Sequence, residues 1–347
     1  MHRIGLDMRN WRAESGGVGR YNRNLLKELL AIDSENHYTA IITPKGEKEF
    51  NVKAPNLEKL VVEYDNYSSD EQRYLPALLK QQQFDLVHFT QFNHPIFYRQ
   101  PFVITIHDII MHLYPSGRQK DSWLRRLAYR RVFNDCQRAE RIIVPSQSTK
   151  DDLVEKLGFP LEKINVTAEG SEAAFRLHTP AEKQKIIQKY ALPKRFILFV
   201  SRWEEYKGLP ALIKAFEVLS KKYPDLGLVI AGEPSKQNPS VAELVKTAQS
   251  TNKNIVTPGF IADADLAPLY AAATVYVHPS WYEGFGIMIL EAFASGVPVV
   301  TSNVSSLPEV AGEAALLVDP KNPKAIAENI EKILADSTLA ESLKQKG

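Results

Sequence analysis

The chain has 347 residues, 44% of them apolar and 24% charged, with a formal net charge of +2 and a single cysteine. That length exceeds one comfortable core and implies about two domains, and the near-neutral charge excludes nucleic-acid binding driven by bulk electrostatics. Cys136 alone excludes an internal disulfide and a thiolate metal cluster, and its helical setting reads as packing. No run of eighteen apolar residues is present, so no membrane span is expected. The opening MHRIGLDMRNW reads as a short strand meeting charges rather than a signal peptide. The expected compartment is therefore the cytoplasm, and the sequons at Asn66, Asn165 and Asn303 carry little weight.

Short β-rich runs alternate with helical patterns, which implies parallel sheets covered by helices. Strands are expected at 2–8, 37–43, 57–64, 84–89, 102–106 and 141–144, and helices at 18–32, 69–82, 119–138 and 146–157. Between 164 and 200 the pattern changes, and a polar stretch, TAEGSEAAFRLHTP, reads as the linker. A fresh strand, FILFVS (196–201), opens a second alternation with strands at 227–232, 254–259, 274–278, 297–302 and 314–320. The expectation is an α/β chain of two Rossmann-like domains, 1–175 and 176–347, facing across a cleft with the ligand at the strand C-terminal ends.

Four loops carry chemistry. After the first strand comes Gly16-Gly17-Val18-Gly19-Arg20-Tyr21, a glycine loop before a helix. It is neither GxGxxG nor a P-loop, and no acidic residue closes the second strand as a dinucleotide site would require. His107-Asp108 ends the strand FVITI, where side chains project toward a ligand. In the second half, Arg202 and Lys207 lie on a strand-end loop, SRWEEYKG, where a guanidinium fork and an ammonium together neutralise a diphosphate.

The most informative stretch is PSWYEGFGIMILEAFASGVPVVTSNVSSLPE, from Pro279 to Glu309. Glycines at its strand-to-helix turn allow close ligand approach, and the helix start favours an anion. Glu283 sits on the loop, and Glu291 about one turn into the helix. An anion flanked by two carboxylates suits a nucleotide sugar, because carboxylates accept hydrogen bonds from hydroxyls. Paired carboxylates also fit a glycosidase, but the basic loop and the helix start call for a phosphate leaving group. Asp263-Ala264-Asp265 resembles a metal-binding DxD, yet at a helix start it reads as an N-cap. Glu309 reads as fixing a nearby helix, and His278 as structural.

The Glu283/Glu291 region resembles the E-x7-E of the retaining glycosyltransferases with the two-domain GT-B fold, most closely glycosyltransferase family 4, and the supporting residues recur along nearly the whole chain. The resemblance implies catalytic roles for Glu283, His107, Arg202 and Lys207. It assigns donor contacts to Gly17, Arg202, Lys207, Phe260, Ile261, Glu283, Phe285, Gly286, Ile287, Met288 and Glu291. Within that set Glu283 meets the sugar hydroxyls, Glu291 the ribose, and the backbone N–H groups from Gly286 to Met288 the sugar or phosphate. Acceptor contacts fall to Gly16, Gly17, Tyr21 and Asp108, with Asp108 either orienting His107 or facing the acceptor.

No metal and no resident cofactor are expected, because cations and a helix start take the leaving charge. The implied reaction is transfer of a hexose with retention, from a GDP- or UDP-linked donor to a glycan or lipid-linked acceptor. Family frequency ranks mannose from GDP-mannose ahead of glucose from UDP-glucose. A sugar-nucleotide 2-epimerase and a non-catalytic binding subunit are the rivals on the same fold. The 118–141 segment, rich in arginine with Trp123, Leu124, Leu127 and Tyr129 interleaved, reads either as a peripheral membrane contact at the inner face or as a solvated helix. Relatives usually continue past the last helix with an aromatic-containing segment, whereas this sequence stops at Gly347. Truncation and a different domain coupling are the two readings of that difference.

Overall fold

The computed structural model describes residues 1–12, 15–114, 123–236 and 238–347. They form two compact units, one of residues 1–109, 123–145 and 150–167 and the other of 110–114, 146–149 and 168–347. In the first unit the strands are β1 (Arg3–Asp7), β2 (His37–Ile42), β3 (Leu57–Val61), β4 (Leu86–Phe89), β5 (Phe102–Thr105), β6 (Arg141–Val144) and β7 (Ile164–Val166). They pair in parallel in the order β3-β2-β1-β4-β5-β6-β7. Six of these strands match the expected runs. The seventh, β7, lies where the pattern begins to change, just before the polar stretch read as linker; it is three residues long with only Ile164 buried, too short to show a period.

The second unit contains β8 (Arg195–Val200), β9 (Leu226–Ala231), β10 (Ile255–Gly259), β11 (Val275–His278), β12 (Val299–Ser302) and β13 (Ala315–Val318), all parallel in the order β10-β9-β8-β11-β12-β13. Parallel strands covered on both faces must be apolar throughout, and LGLVIA of β9 is buried at every position. One core layer joins Phe199, Ile213, Phe216 and Ile230 to Ile326 and Ile330. Another, with Leu198, Val229, Tyr276, Ile289 and Leu307, covers the opposite face.

Both sheets reverse their winding at one place, between β1 and β4 and between β8 and β11. There the connections diverge to opposite faces and leave a crevice beyond the strand C-termini. The segments after β1, β8 and β11 are therefore each aimed at the crevice of their own sheet by topology alone, and three of the four chemistry-bearing loops follow these strands. The fourth, His107-Asp108, follows β5, the neighbour of β4.

Helix starts are locally encoded. Thr179 and Glu182 form a reciprocal capping box on helix Pro180–Lys189, and Ser68 accepts from the Glu71 N–H on helix Ser69–Gln81. Two expectations change. The glycines at 16–19 lie inside the first turn of helix Gly16–Ile32 rather than in a loop before it, with Ser15 as the N-cap. The N-cap of helix Asp263–Ala272 is Ala262, so Asp263 belongs to the first turn. Asp265 instead accepts from Lys189 at 2.5 Å and from the Tyr190 hydroxyl at 2.7 Å, joining two helices.

Candidate active site

The loop after β8 and the loop after β11 meet through a backbone contact. Gly208 has φ +75°, and a Cβ there would lie 1.8 Å from the Pro279 carbonyl oxygen. Only glycine permits that approach, and it brings Lys207 onto the residues that follow β11. The Lys207 ammonium donates to both oxygens of Glu283, at 2.7 and 2.8 Å. His278, the last residue of β11, places Nε2 2.8 Å from Glu283 Oε1. Burial alone would raise the Glu283 carboxyl; the Lys207 charge and the His278 contact outweigh it and hold it down at about 2. Glu283 is therefore a carboxylate at any physiological pH.

The backbone around it is stapled by side chains that carried no role in the sequence reading. Ser305, in a left-handed conformation (φ +59°), accepts from the Glu283 N–H at 3.1 Å and donates to its carbonyl at 2.5 Å. Ser306 donates to the carbonyls of Glu283 and Phe285. Ser146 and Thr149, from the 146–149 segment of the same unit, both donate to the Gly284 carbonyl. Glu309, read from the sequence as fixing a nearby helix, accepts from the Gln147 and Ser148 amides at the start of helix Gln147–Leu157. Loop carbonyls satisfied in this way hold the turn in one conformation.

Gly286 (φ +99°) starts helix Ile287–Ala294 with no side-chain cap and no acidic residue in the first turn. Its leading N–H groups and the positive end of its dipole are left for an anion. Glu291, one turn along, is buried at 1% exposure, while Ile287 and Met288 are half-buried. Phe285 is buried and Arg202 is exposed. Among the described residues the Arg202 guanidinium makes no hydrogen bond or ion pair, so its charge is available to a ligand. Phe260 and Ile261 follow β10, two strands from β8 at the sheet edge. Phe260 is exposed, whereas the Ile261 side chain packs into the core.

In the first unit, Tyr21 and His107 come together. Their rings meet edge-on at 4.7 Å, and His107 Nε2 lies 2.9 Å from the Thr90 carbonyl, to which it donates. The Tyr21 hydroxyl is 3.1 Å from Thr105 Oγ1, which is 2.8 Å from His88 Nε2. Burial, helped by the neighbouring His107, lowers His88 to about 4, so it is neutral. Asp108 is half-buried. A Cβ on Gly17 would enter open space, whereas one on Gly19 would lie 2.6 Å from the Arg12 carbonyl. Gly19 is thus the sterically required glycine of the run, and Gly16 and Gly17 are exposed.

On helix Trp123–Cys136 the side chains of Trp123, Leu124 and Leu127 are exposed, as are Arg126, Arg130 and Arg131, while Phe133 and Cys136 are buried. The start of the basic segment, including Arg118 and Lys120, lies outside the described residues. No helix among the described residues is long and apolar enough to cross a membrane.

Two doubly wound parallel sheets, with a buried carboxylate and lysine ahead of an uncapped helix start, fit an enzyme that handles a nucleotide sugar. The chain belongs to glycosyltransferase family 4 and is a glycosyltransferase. The family model Glycosyltransferase Family 4 matches residues 15–171, and Glycosyl transferases group 1 matches residues 182–347. The chain is 30% identical over 352 residues to the O-antigen chain mannosyltransferase B of Escherichia coli, covering 95% of this chain and 90% of that protein. It is also 30% identical over 248 residues to the E. coli serotype-specific mannosyltransferase WbdA, covering 70% of this chain and 30% of that longer protein. Two solved structures share the GT-B fold. Sucrose-phosphate synthase from Thermosynechococcus elongatus has a TM-score of 0.80 at 21% identity, covering 99% of this chain and 92% of its own. Anabaena HepE, in complex with UDP and glucose, has 0.76 at 19%, with coverage of 99% and 92%.

Proposed function

We propose that this enzyme transfers mannose from GDP-mannose, with retention at the anomeric carbon and without a metal, to a glycan or lipid-linked acceptor. The observation that carries the reading is the ionised Glu283, held by Lys207 and His278 at the start of an uncapped helix. A carboxylate there accepts hydrogen bonds from sugar hydroxyls, while the helix start and Arg202 receive the diphosphate. As the anomeric C–O bond breaks, its electron pair passes to the β-phosphate, and Arg202, Lys207 and the helix dipole stabilise that charge. The acceptor oxygen bonds to the anomeric carbon on the same face, and its proton leaves with the phosphate. Glu291 takes the ribose, Phe260 and the Ile261 backbone the base, and Gly16, Gly17, Tyr21, His107 and Asp108 serve the acceptor side and the donor sugar.

Mannose as the donor sugar is supported by the names of the E. coli relatives. Glucose from UDP-glucose is the second reading, supported by HepE, whose structures contain UDP, glucose and UDP-glucose. The exposed Trp123, Leu124 and Leu127 beside Arg126, Arg130 and Arg131 support peripheral contact with an anionic membrane. Retention in the soluble fraction with anionic vesicles at low salt would remove that part.

A thermal-shift panel of GDP, UDP and ADP with their sugar conjugates, with and without EDTA, tests the donor. A ligand at a hundred times its Kd adds about 2.7 kcal/mol. The expected result is a shift with GDP and GDP-mannose that EDTA leaves unchanged. A shift confined to UDP conjugates would replace the donor, and an EDTA-sensitive shift would remove metal independence. NMR of the product anomer tests retention.

A further inference from the structure

We propose that His278 is the positioning residue for Glu283, locking the carboxylate in one orientation so that Oε2 is presented to the donor sugar. The inference rests on the reading that Glu283 receives that sugar. Lys207 contacts both carboxylate oxygens almost equally. A flexible ammonium bound in that way fixes charge but not the plane of the carboxylate. His278 contacts Oε1 alone, and the asymmetry selects Oε2 as the oxygen with acceptor capacity to spare.

The imidazole is itself held on every side. It is fully buried, and it stacks on Tyr276 at 6.1 Å and 9° and on Phe199 at 6.4 Å and 22°. The Tyr276 hydroxyl lies 3.4 Å from Nδ1, and the His278 carbonyl accepts from Thr301. A phenol that donates to Nδ1 leaves the proton on Nε2, the nitrogen that faces Glu283. The arrangement has a further use. When Lys207 turns toward a diphosphate, Glu283 keeps its orientation through His278.

The test compares His278→Phe, which keeps a ring without a donor, with His278→Gln, whose amide reaches the same carboxylate. Each is measured for kcat, for the Kd of the nucleoside diphosphate and of its sugar conjugate, and for Tm. The Phe variant is expected to lose about tenfold to a hundredfold in kcat and the affinity that the sugar adds over the bare diphosphate. Diphosphate affinity should stay within about twofold. The Gln variant should recover most of the loss. A Phe variant with full kcat, a parallel loss of diphosphate affinity, or no rescue by Gln overturns the proposal. If the Phe variant does not fold, 15N NMR of the wild-type histidines decides. A proton on Nε2 of His278, with or without a second on Nδ1, upholds the assignment, and a proton on Nδ1 alone overturns it. Wild-type protein that turns over no nucleotide sugar defeats the functional reading itself, whereas active wild type with unaffected variants defeats only the role of His278.

Discussion

Each unit buries a cluster of charges just beyond the first strand of its sheet, and the two clusters are finished to different degrees. In the first unit, Arg9 donates to Asp7 at 2.7 Å and to Glu71 at 2.6 Å, and the three side chains are at most 3% exposed. Asn93 and the Tyr67 N–H supply further donors to Glu71. In the second unit, Lys207 and Glu283 keep 12% and 10% exposure, and Arg202, on the same loop as Lys207, is exposed. A charge cluster closed on all sides can only hold the scaffold, because any new partner would have to displace an existing one. A cluster left slightly open can exchange partners with a ligand.

The strongest test of this contrast is Arg9→Met. It strands two buried carboxylates and is expected to cost about 3–5 kcal/mol of stability, read from denaturant midpoints; a loss below about 1 kcal/mol would show that the closed cluster is not scaffold. Lys207→Met should do the reverse. Turnover should fall about 10²–10³-fold, as when an oxyanion-stabilising donor is removed, with a smaller drop in Tm than Arg9→Met; the opposite ranking would dissolve the distinction.

Acid titration separates the units more gently. His88 is lowered from 6.5 to about 4, so the stability it contributes is complete above pH 6.5 and disappears as pH falls through 4. Glu283 is lowered from 4.5 to about 2, so its contribution is complete above pH 4.5 and disappears toward pH 2. Each is worth on the order of 3 kcal/mol. His94, raised to about 10 by Cys136 and Asp135 against the effect of burial, contributes evenly below pH 6.5. Hydrogen exchange, corrected for its intrinsic pH dependence, should show the first unit loosening between pH 6.5 and 4, before the second. Simultaneous loosening, or a first-unit response that persists in His88→Leu, would contradict this. The smallest effect is expected of Ser305→Ala, about 1 kcal/mol from the lost loop hydrogen bonds, detectable as a lower Tm.

The alternating strands were legible because parallel strands buried on both faces must be continuous apolar runs, and the glycine turn between Glu283 and Glu291 announced a strand-to-helix junction. Arg202 and Lys207 stood out because a guanidinium fork and an ammonium on one strand-end loop suit a diphosphate. Less could be read where the relevant partner lies far along the chain. The Lys207–Glu283 pair joins residues 76 apart and depends on β8 and β11 being neighbours, an order that local pattern does not state. His278 looked structural because a histidine ending a strand has many uses, and only the placed carboxylate distinguishes them. Ser305 and Ser306 were passed over because hydroxyls that staple a loop leave no periodic trace. The glycines at 16–19 were read as a loop because glycine disfavours helix interiors, but in a first turn its cost is small.

The neighbour order of the second sheet also governs how the chain emerges during synthesis. Strand β8 pairs with β9 on one side and with β11 on the other, so a nascent chain that has delivered β8, β9 and β10 still shows one open edge of RFILFV. Lys207 meanwhile waits for a counter-ion 76 residues downstream. At roughly 5–20 residues per second that edge stays open for roughly 4–15 s. An apolar strand edge is a template for pairing with other chains, so the interval between β8 and β11 is one in which the nascent chain is open to mispairing at the ribosome.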